Sequence, residues 1–171
     1  LFPEDHPYNW PTIGSSDDIR AMRLEDVQTF FRTYYHPANA SLTLAGDIET
    51  ERAFDLAERY FGELPRGPRP APVRRTADLA SEARLVLEDR VEMPRVYMAW
   101  LSPAMFGEGD AEMDLLADLL ANGKTSRLYR TLVYERRVAL DVSAYQNSRE
   151  LAGFFLLVAT AAPGGSLTDI A

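Results

Sequence analysis

From Pro65 to Pro72 the chain reads Pro-Arg-Gly-Pro-Arg-Pro-Ala-Pro, four prolines in eight residues. Each proline fixes φ and removes a backbone donor, so neither a helix nor an interior strand can run through this stretch. It reads as an extended, fairly stiff spacer. The 171 residues therefore divide into a shorter and a longer part that must be organised separately. We place the boundaries at 1–64 for a first module, 65–82 for the Pro/Arg-rich linker, and 83–171 for a second module.

In the first part, Leu1 to Gly14 is irregular, with three prolines and the three aromatics Phe2, Tyr8 and Trp10 around His6. Ser15 or Ser16 ahead of Asp17 and Asp18 offers an N-cap for a short helix near Asp17 to Met22. Leu24, Val27, Phe30, Phe31 and Tyr34 recur at three- and four-residue intervals, which predicts a helix from about Leu24 to Tyr35, ended by His36-Pro37. Ser41 to Gly46 alternates Leu42 and Leu44 on one side and reads as a strand. A further helix has Ala53, Leu56, Ala57 and Tyr60 as its apolar stripe and closes at Phe61-Gly62.

In the second part, Ala83 to Val91 and Arg95 to Leu101 read as strands. The second is apolar on both faces and is expected to be central. A helix from about Gly109 to Asn122 buries Met113, Leu116, Ala117 and Leu120, and another follows through Arg127 to Glu135. Ala139 to Gln146 and Ala152 to Ala161 then form an antiparallel hairpin around Asn147 to Glu150. Ser166-x-x-Asp169 announces a helix just before the sequence stops, so the second module is expected to be truncated, with apolar surface left bare and self-association as the result. Leu1 is neither an initiator Met nor the start of a signal peptide, which suggests a piece of something longer. The fold class is α+β: a mostly antiparallel sheet with helices on one face.

Composition narrows the function. With 46% hydrophobic residues the chain can build a core, and its longest apolar run, Phe154 to Ala159, is strand-sized and far short of the roughly 20 residues a membrane helix needs. Eighteen Lys plus Arg against 26 Asp plus Glu, a formal charge of -8, argues against nucleic acid or an anionic membrane as partner. The absence of cysteine excludes disulfides, Cys-ligated metals and thiol nucleophiles.

No catalytic constellation emerges. His6 and His36 lie 30 residues apart, and neither has a His or Glu one turn away, so neither reads as a zinc ligand. Asn122-Gly123-Lys124-Thr125-Ser126 lacks the earlier glycine of a phosphate-binding loop and follows a helix, not a strand. Asp17-Asp18 and the pair Glu108 and Asp110 sit where caps and loops put them. The expected catalytic, cofactor-binding and metal residues of this segment are none.

Three blocks nevertheless resemble the M16 family of zinc metallopeptidases (pitrilysin, insulinase and mitochondrial processing peptidase). They are His6-Pro7-Tyr8 with Pro11 to Gly14; Asp26 to Asp47 with Phe30, Tyr34-Tyr35, Pro37, Asn39 and Gly46-Asp47; and Leu119 to Tyr129, which carries Ser126-Arg127-Leu128-Tyr129. The resemblance implies the LuxS/processing-peptidase-like metallohydrolase fold, with repeated α+β modules enclosing a chamber. It also implies zinc held by an inverted His-x-x-Glu-His and a later Glu upstream of Leu1, so that this segment holds no cofactor and zinc belongs to the parent. The implied partners are other M16 modules or a partner subunit, with peptide as the parent's substrate; periplasm and cytoplasm are both compatible. The substrate-clamping Arg and Tyr of some family modules fall here on Val133 and Leu140, and the family's glycine-rich loop falls on Asn122 to Thr125 with one glycine. The implied role is a non-catalytic module of a zinc peptidase, or of a catalytically dead homologue serving as a scaffold or partner subunit. A separate reading from the strands alone is that an exposed edge near Ala139 to Gln146 binds extended peptides.

Overall fold

The computed structural model describes residues 1–170. The chain forms two compact units: Leu1–Asn9 together with Arg74–Ala171, and Trp10–Val73.

The unit Trp10–Val73 holds three α-helices, α1 (Ser16–Ala21), α2 (Leu24–Tyr34) and α3 (Thr50–Phe61). Ser15 caps α1 by accepting the Asp18 N–H at 3.0 Å, and Asp26 starts α2 by accepting the Arg23 N–H at 2.9 Å. The spacing of α2's aromatic residues brings Phe30 onto Tyr34 at 5.0 Å and Phe31 onto Tyr35 at 4.4 Å between centroids. Yet no side chain of this unit is buried: Phe31 is 50% and Phe54 72% exposed. The predicted strand Ser41 to Gly46 is absent. Its alternation is real, but a strand exists only when a neighbour takes its N–H and C=O groups, and no strand lies within Trp10–Val73.

The other unit is built on a three-stranded antiparallel sheet in the order β1-β3-β2, with β1 Arg95–Ser102, β2 Ala139–Asn147 and β3 Gly153–Ala161. The β2–β3 hairpin forms as expected, with Asn147 opposite Phe154 and a register shift between Ala139 and Asp141. Helix α4 (Asp110–Ala121) starts at Gly109, whose φ of 89° favours glycine. A π-helix (Tyr129–Glu135) follows, and α5 (Leu167–Ile170) is the turn that Ser166 and Asp169 announce.

These three helices supply one face of a single apolar cluster. Ala121 of α4, Leu132 and Val133 of the π-helix and Ile170 of α5 pack with Val142, Ala159, Ala161, Leu157 and Val96 of the sheet. The strand residues share one parity through the pairs Val142–Ala159 and Val96–Ala159, so the helices cover one sheet face. The observed class is α+β, as the sequence pattern implies.

Two strand expectations are corrected. Arg95 to Leu101 lies at the sheet edge, because β3 carries both sets of ladder hydrogen bonds. Apolar residues on both faces report what covers the faces, not how many strands flank the edges. Ala83 to Val91 is not a strand: it pairs with nothing among the described residues, and Leu85, Val86 and Leu87 are exposed.

Candidate functional site

The two histidines have separate structural roles. His6 is fully buried in the unit that contains the sheet. Its ring stacks on Phe2 at 4.8 Å and meets Tyr8 edge-on at 5.1 Å, while Nδ1 accepts the Tyr8 N–H at 3.1 Å. Tyr8 then accepts the Leu151 N–H at 3.1 Å, and the Arg149 guanidinium lies 5.2 Å from the Tyr8 ring. The segment Leu1–Asn9 is thereby fastened to the β2–β3 loop. His36 belongs to the helical unit. Its Nε2 lies 3.0 Å from the Thr33 carbonyl, which can only accept, so Nε2 carries the proton. Its ring lies against Gly67, which has φ +71°, and Ala38 donates to the Arg66 carbonyl at 2.9 Å. The start of the linker is seated on the end of α2.

Neither arrangement fits zinc. A catalytic zinc takes three protein ligands, and among the described residues no group of three or more His, Cys, Asp or Glu could hold a metal ion. The acidic residues singled out in the sequence also serve local structure. Asp17 pairs with Arg20 at 3.1 Å on the surface. Asp110 accepts the Phe106 N–H at 2.8 Å and the Gln146 side-chain N–H at 3.2 Å, and these hydrogen bonds hold its carboxyl below the ordinary range. They fix the strained turn where Phe106 adopts φ 60°.

The Gly-Lys-Thr stretch forms a turn between α4 and the π-helix. Ser126 is buried and donates its hydroxyl to the Gly123 carbonyl at 2.7 Å, leaving Lys124 and Thr125 in solvent. Beside this turn lie two shallow cavities of about 420 and 290 Å³. The first is lined by Lys124, Thr125, Arg130, Tyr134 and Glu135, the second by Lys124, Tyr129, Val133, Tyr134 and Arg137. Arg136 donates its N–H to the Thr131 carbonyl at 2.9 Å, five residues back, the bond that defines a π turn. Arg137 then takes φ 55°, a left-handed conformation usually given to glycine or asparagine. Tyr129 and Tyr134 stand 6.0 Å apart. Sequence reading missed this groove, although a signal existed: residues 124–137 hold five cations against the single acid Glu135. Val133 packs toward the core, and Leu140 sits exposed where the β2 register shifts.

The family profile described as "Peptidase M16 inactive domain" matches residues 21–170. The chain belongs to the M16 peptidase family. Among relatives of this M16 domain, the zinc protease PqqE of Helicobacter pylori is 29% identical over 162 residues, covering 92% of this chain and 36% of that protein. The crystal structure of a protease from Helicobacter pylori superposes with a TM-score of 0.73 at 30% identity, covering 94% of this chain and 40% of that one. A peptidase M16 inactive domain from Pseudomonas fluorescens has a TM-score of 0.71 at 21% identity over 94% of this chain and 39% of that one, a likeness of fold. The M16 domain described here thus spans little more than a third of the zinc protease it resembles.

Proposed function

We propose that this M16 inactive domain is a wall-forming part of a zinc metalloendopeptidase whose metal ligands lie outside residues 1–171, in a parent that hydrolyses peptides. The observation that carries the reading is the inactive-domain match across residues 21–170, together with a relative named as a zinc protease that is longer than this chain. In such a parent, residues 1–64 are the tail of a preceding module, 65–82 the linker, and 83–171 the second module. The helical unit is consistent with such a neighbour from Trp10 onward, whereas Leu1–Asn9 groups with the sheet-containing unit: α2 and α3 have apolar stripes, yet the Phe30, Phe31, Phe54 and Tyr60 side chains are about half exposed or more. Stripes of this kind form to be covered by a sheet or another helix. Other M16 modules, in the same polypeptide or a partner subunit, are the natural cover.

The test compares the full-length polypeptide with residues 1–171 for bound zinc and for hydrolysis of an unstructured peptide. Stoichiometric zinc and EDTA-sensitive hydrolysis are expected in the full-length protein only. Zinc bound stoichiometrically by residues 1–171 would overturn the assignment of a non-catalytic role. A full-length protein without zinc would overturn the assignment of peptidase activity and place the parent among scaffold or partner subunits.

A further inference from the structure

The cationic groove beside the π-helix is unexplained by a wall-forming role. Residues 124–137 carry Lys124, Arg127, Arg130, Arg136 and Arg137 against Glu135, in a chain whose formal net charge is -8. The local excess of positive charge therefore runs against the field of the rest of the molecule. Within it the cations are unequally engaged. Arg130 pairs with Glu135 at 2.8 Å, whereas Lys124 and Arg137 form no ion pair among the described residues. Both line the second cavity, with Tyr129 and Tyr134 beside them.

The backbone adds an independent observation. Arg137 adopts φ 55° at the end of the π-helix, where the Val138 N–H reaches the Leu132 carbonyl at 3.0 Å. Glycine would hold this wrapped end without the steric penalty of a side chain. An arginine here accepts backbone strain and in return places an exposed guanidinium at the cavity rim. π turns, too, are frequent at functional sites because the extra residue re-aims the side chains around it.

We propose that the groove between the Gly123–Ser126 turn and the π-helix binds an acidic peptide segment, with Lys124 and Arg137 taking its carboxylates and Tyr129 and Tyr134 its apolar neighbours. A guanidinium matches a carboxylate in two-pronged geometry, and the ammonium of Lys124 adapts as a point charge. The tyrosine faces favour a peptide over a bare anion, because they offer apolar area that a small ion cannot use. The net negative charge outside the groove repels a polyanion that extends past it.

The test is calorimetric titration of the full-length polypeptide in EDTA, which separates binding from any metal-dependent cleavage. The probe is a blocked peptide alternating glutamate with leucine or phenylalanine, and its control has glutamine at every glutamate. Saturable binding about tenfold tighter for the glutamate peptide is expected, weakening as salt rises from about 0.05 to about 0.5 M. The double variant Lys124→Gln, Arg137→Gln should lose about tenfold in affinity. Arg137→Gly separates binding from architecture: it should raise the melting temperature while weakening the peptide. Equal affinity for the two peptides, unchanged affinity in the double variant, a lower melting temperature with intact binding in Arg137→Gly, or displacement by millimolar inorganic phosphate would each overturn the proposal. These outcomes do not depend on whether the parent holds zinc.

Discussion

Gly153→Ala is the sharpest test of the sheet's geometry. Gly153 opens β3 opposite Ser102, where the end of β1 and the β2–β3 hairpin meet. A Cβ built there would sit 2.6 Å from the Pro103 carbonyl oxygen, 2.7 Å from Ser102 Oγ and 3.1 Å from the Asn147 carbonyl oxygen. An unstrained carbon–oxygen contact lies near roughly 3.3 Å, so the closest oxygen must retreat by about 0.7 Å. The Pro103 and Asn147 oxygens are backbone and cannot rotate away as Ser102 Oγ can. Displacement therefore reaches the ladder itself. Overpacking of this kind costs about 1–3 kcal/mol, partly offset by the roughly 0.4–1 kcal/mol that Gly→Ala gains by restricting the unfolded chain. The net expectation is a loss of about 1–2 kcal/mol, or roughly 2–8 °C in melting temperature. Thermal unfolding followed by far-UV circular dichroism measures it. Gly123→Ala serves as a control, because φ +81° with nothing within 4 Å leaves only backbone strain. A Gly153→Ala variant that melts at or above the parent temperature would refute the close approach.

The linker seat gives another glycine test: Gly67→Ala combines φ +71° with a Cβ 2.6 Å from His36 Nδ1, so trypsin should cut faster at Arg66, and an unchanged rate would refute the seat. Asp110 should make stability acid-sensitive. The Phe106 N–H holds its carboxyl below the ordinary aspartate range, so its contribution is present above about pH 4 and is lost as pH falls through the lower native value. Asp110→Asn should therefore show a flatter decline of melting temperature below pH 4 than the parent, and parallel curves would refute it. Arg137→Gly should stabilise by about 1 kcal/mol through relief of the left-handed strain, as measured by urea unfolding; destabilisation would show that the arginine side chain holds the helix end. Finally, amide exchange in residues 1–171 should be slowest in β3 and fast throughout α1 to α3, and equal protection would contradict the exposed helical stripes.

The helices were legible in the sequence because their determinants are local: Ser15 at the start of α1, the three- and four-residue apolar spacing of α2, and Gly109 and Asn122 flanking α4. Strands were legible only where the partner lay nearby. The β2–β3 hairpin closes over a short loop, so its pairing is nearly local too. Ser41 to Gly46 and Ala83 to Val91 carry strand-like patterns without a partner in the structure, and pattern alone cannot supply the second half of a ladder. The groove escaped notice for a different reason. Leu128, Leu132 and Val133 announce an ordinary helix, and the π turns that set Tyr129, Tyr134 and Arg137 around one cavity depend on how the helix end wraps.

That contrast extends to how the two units are stabilised. The sheet-containing unit closes a core around Ala159 and Ala161, neither of which retains any exposed surface. In the helical unit α1, α2 and α3 have 6, 11 and 12 residues. Helices shorter than about 12–15 residues are marginal in water on propensity alone, so packing must supply most of their stability. Fully burying a phenylalanine contributes about 1.5–3 kcal/mol, yet Phe30, Phe31, Phe54 and Phe61 are all at least half exposed. The largest available stabilisation of Trp10–Val73 is therefore still unrealised within these residues, and covering the α2 and α3 stripes would supply it. Under the proposed function, a neighbouring M16 module that covered them would make the stability of this unit and that assembly one and the same event.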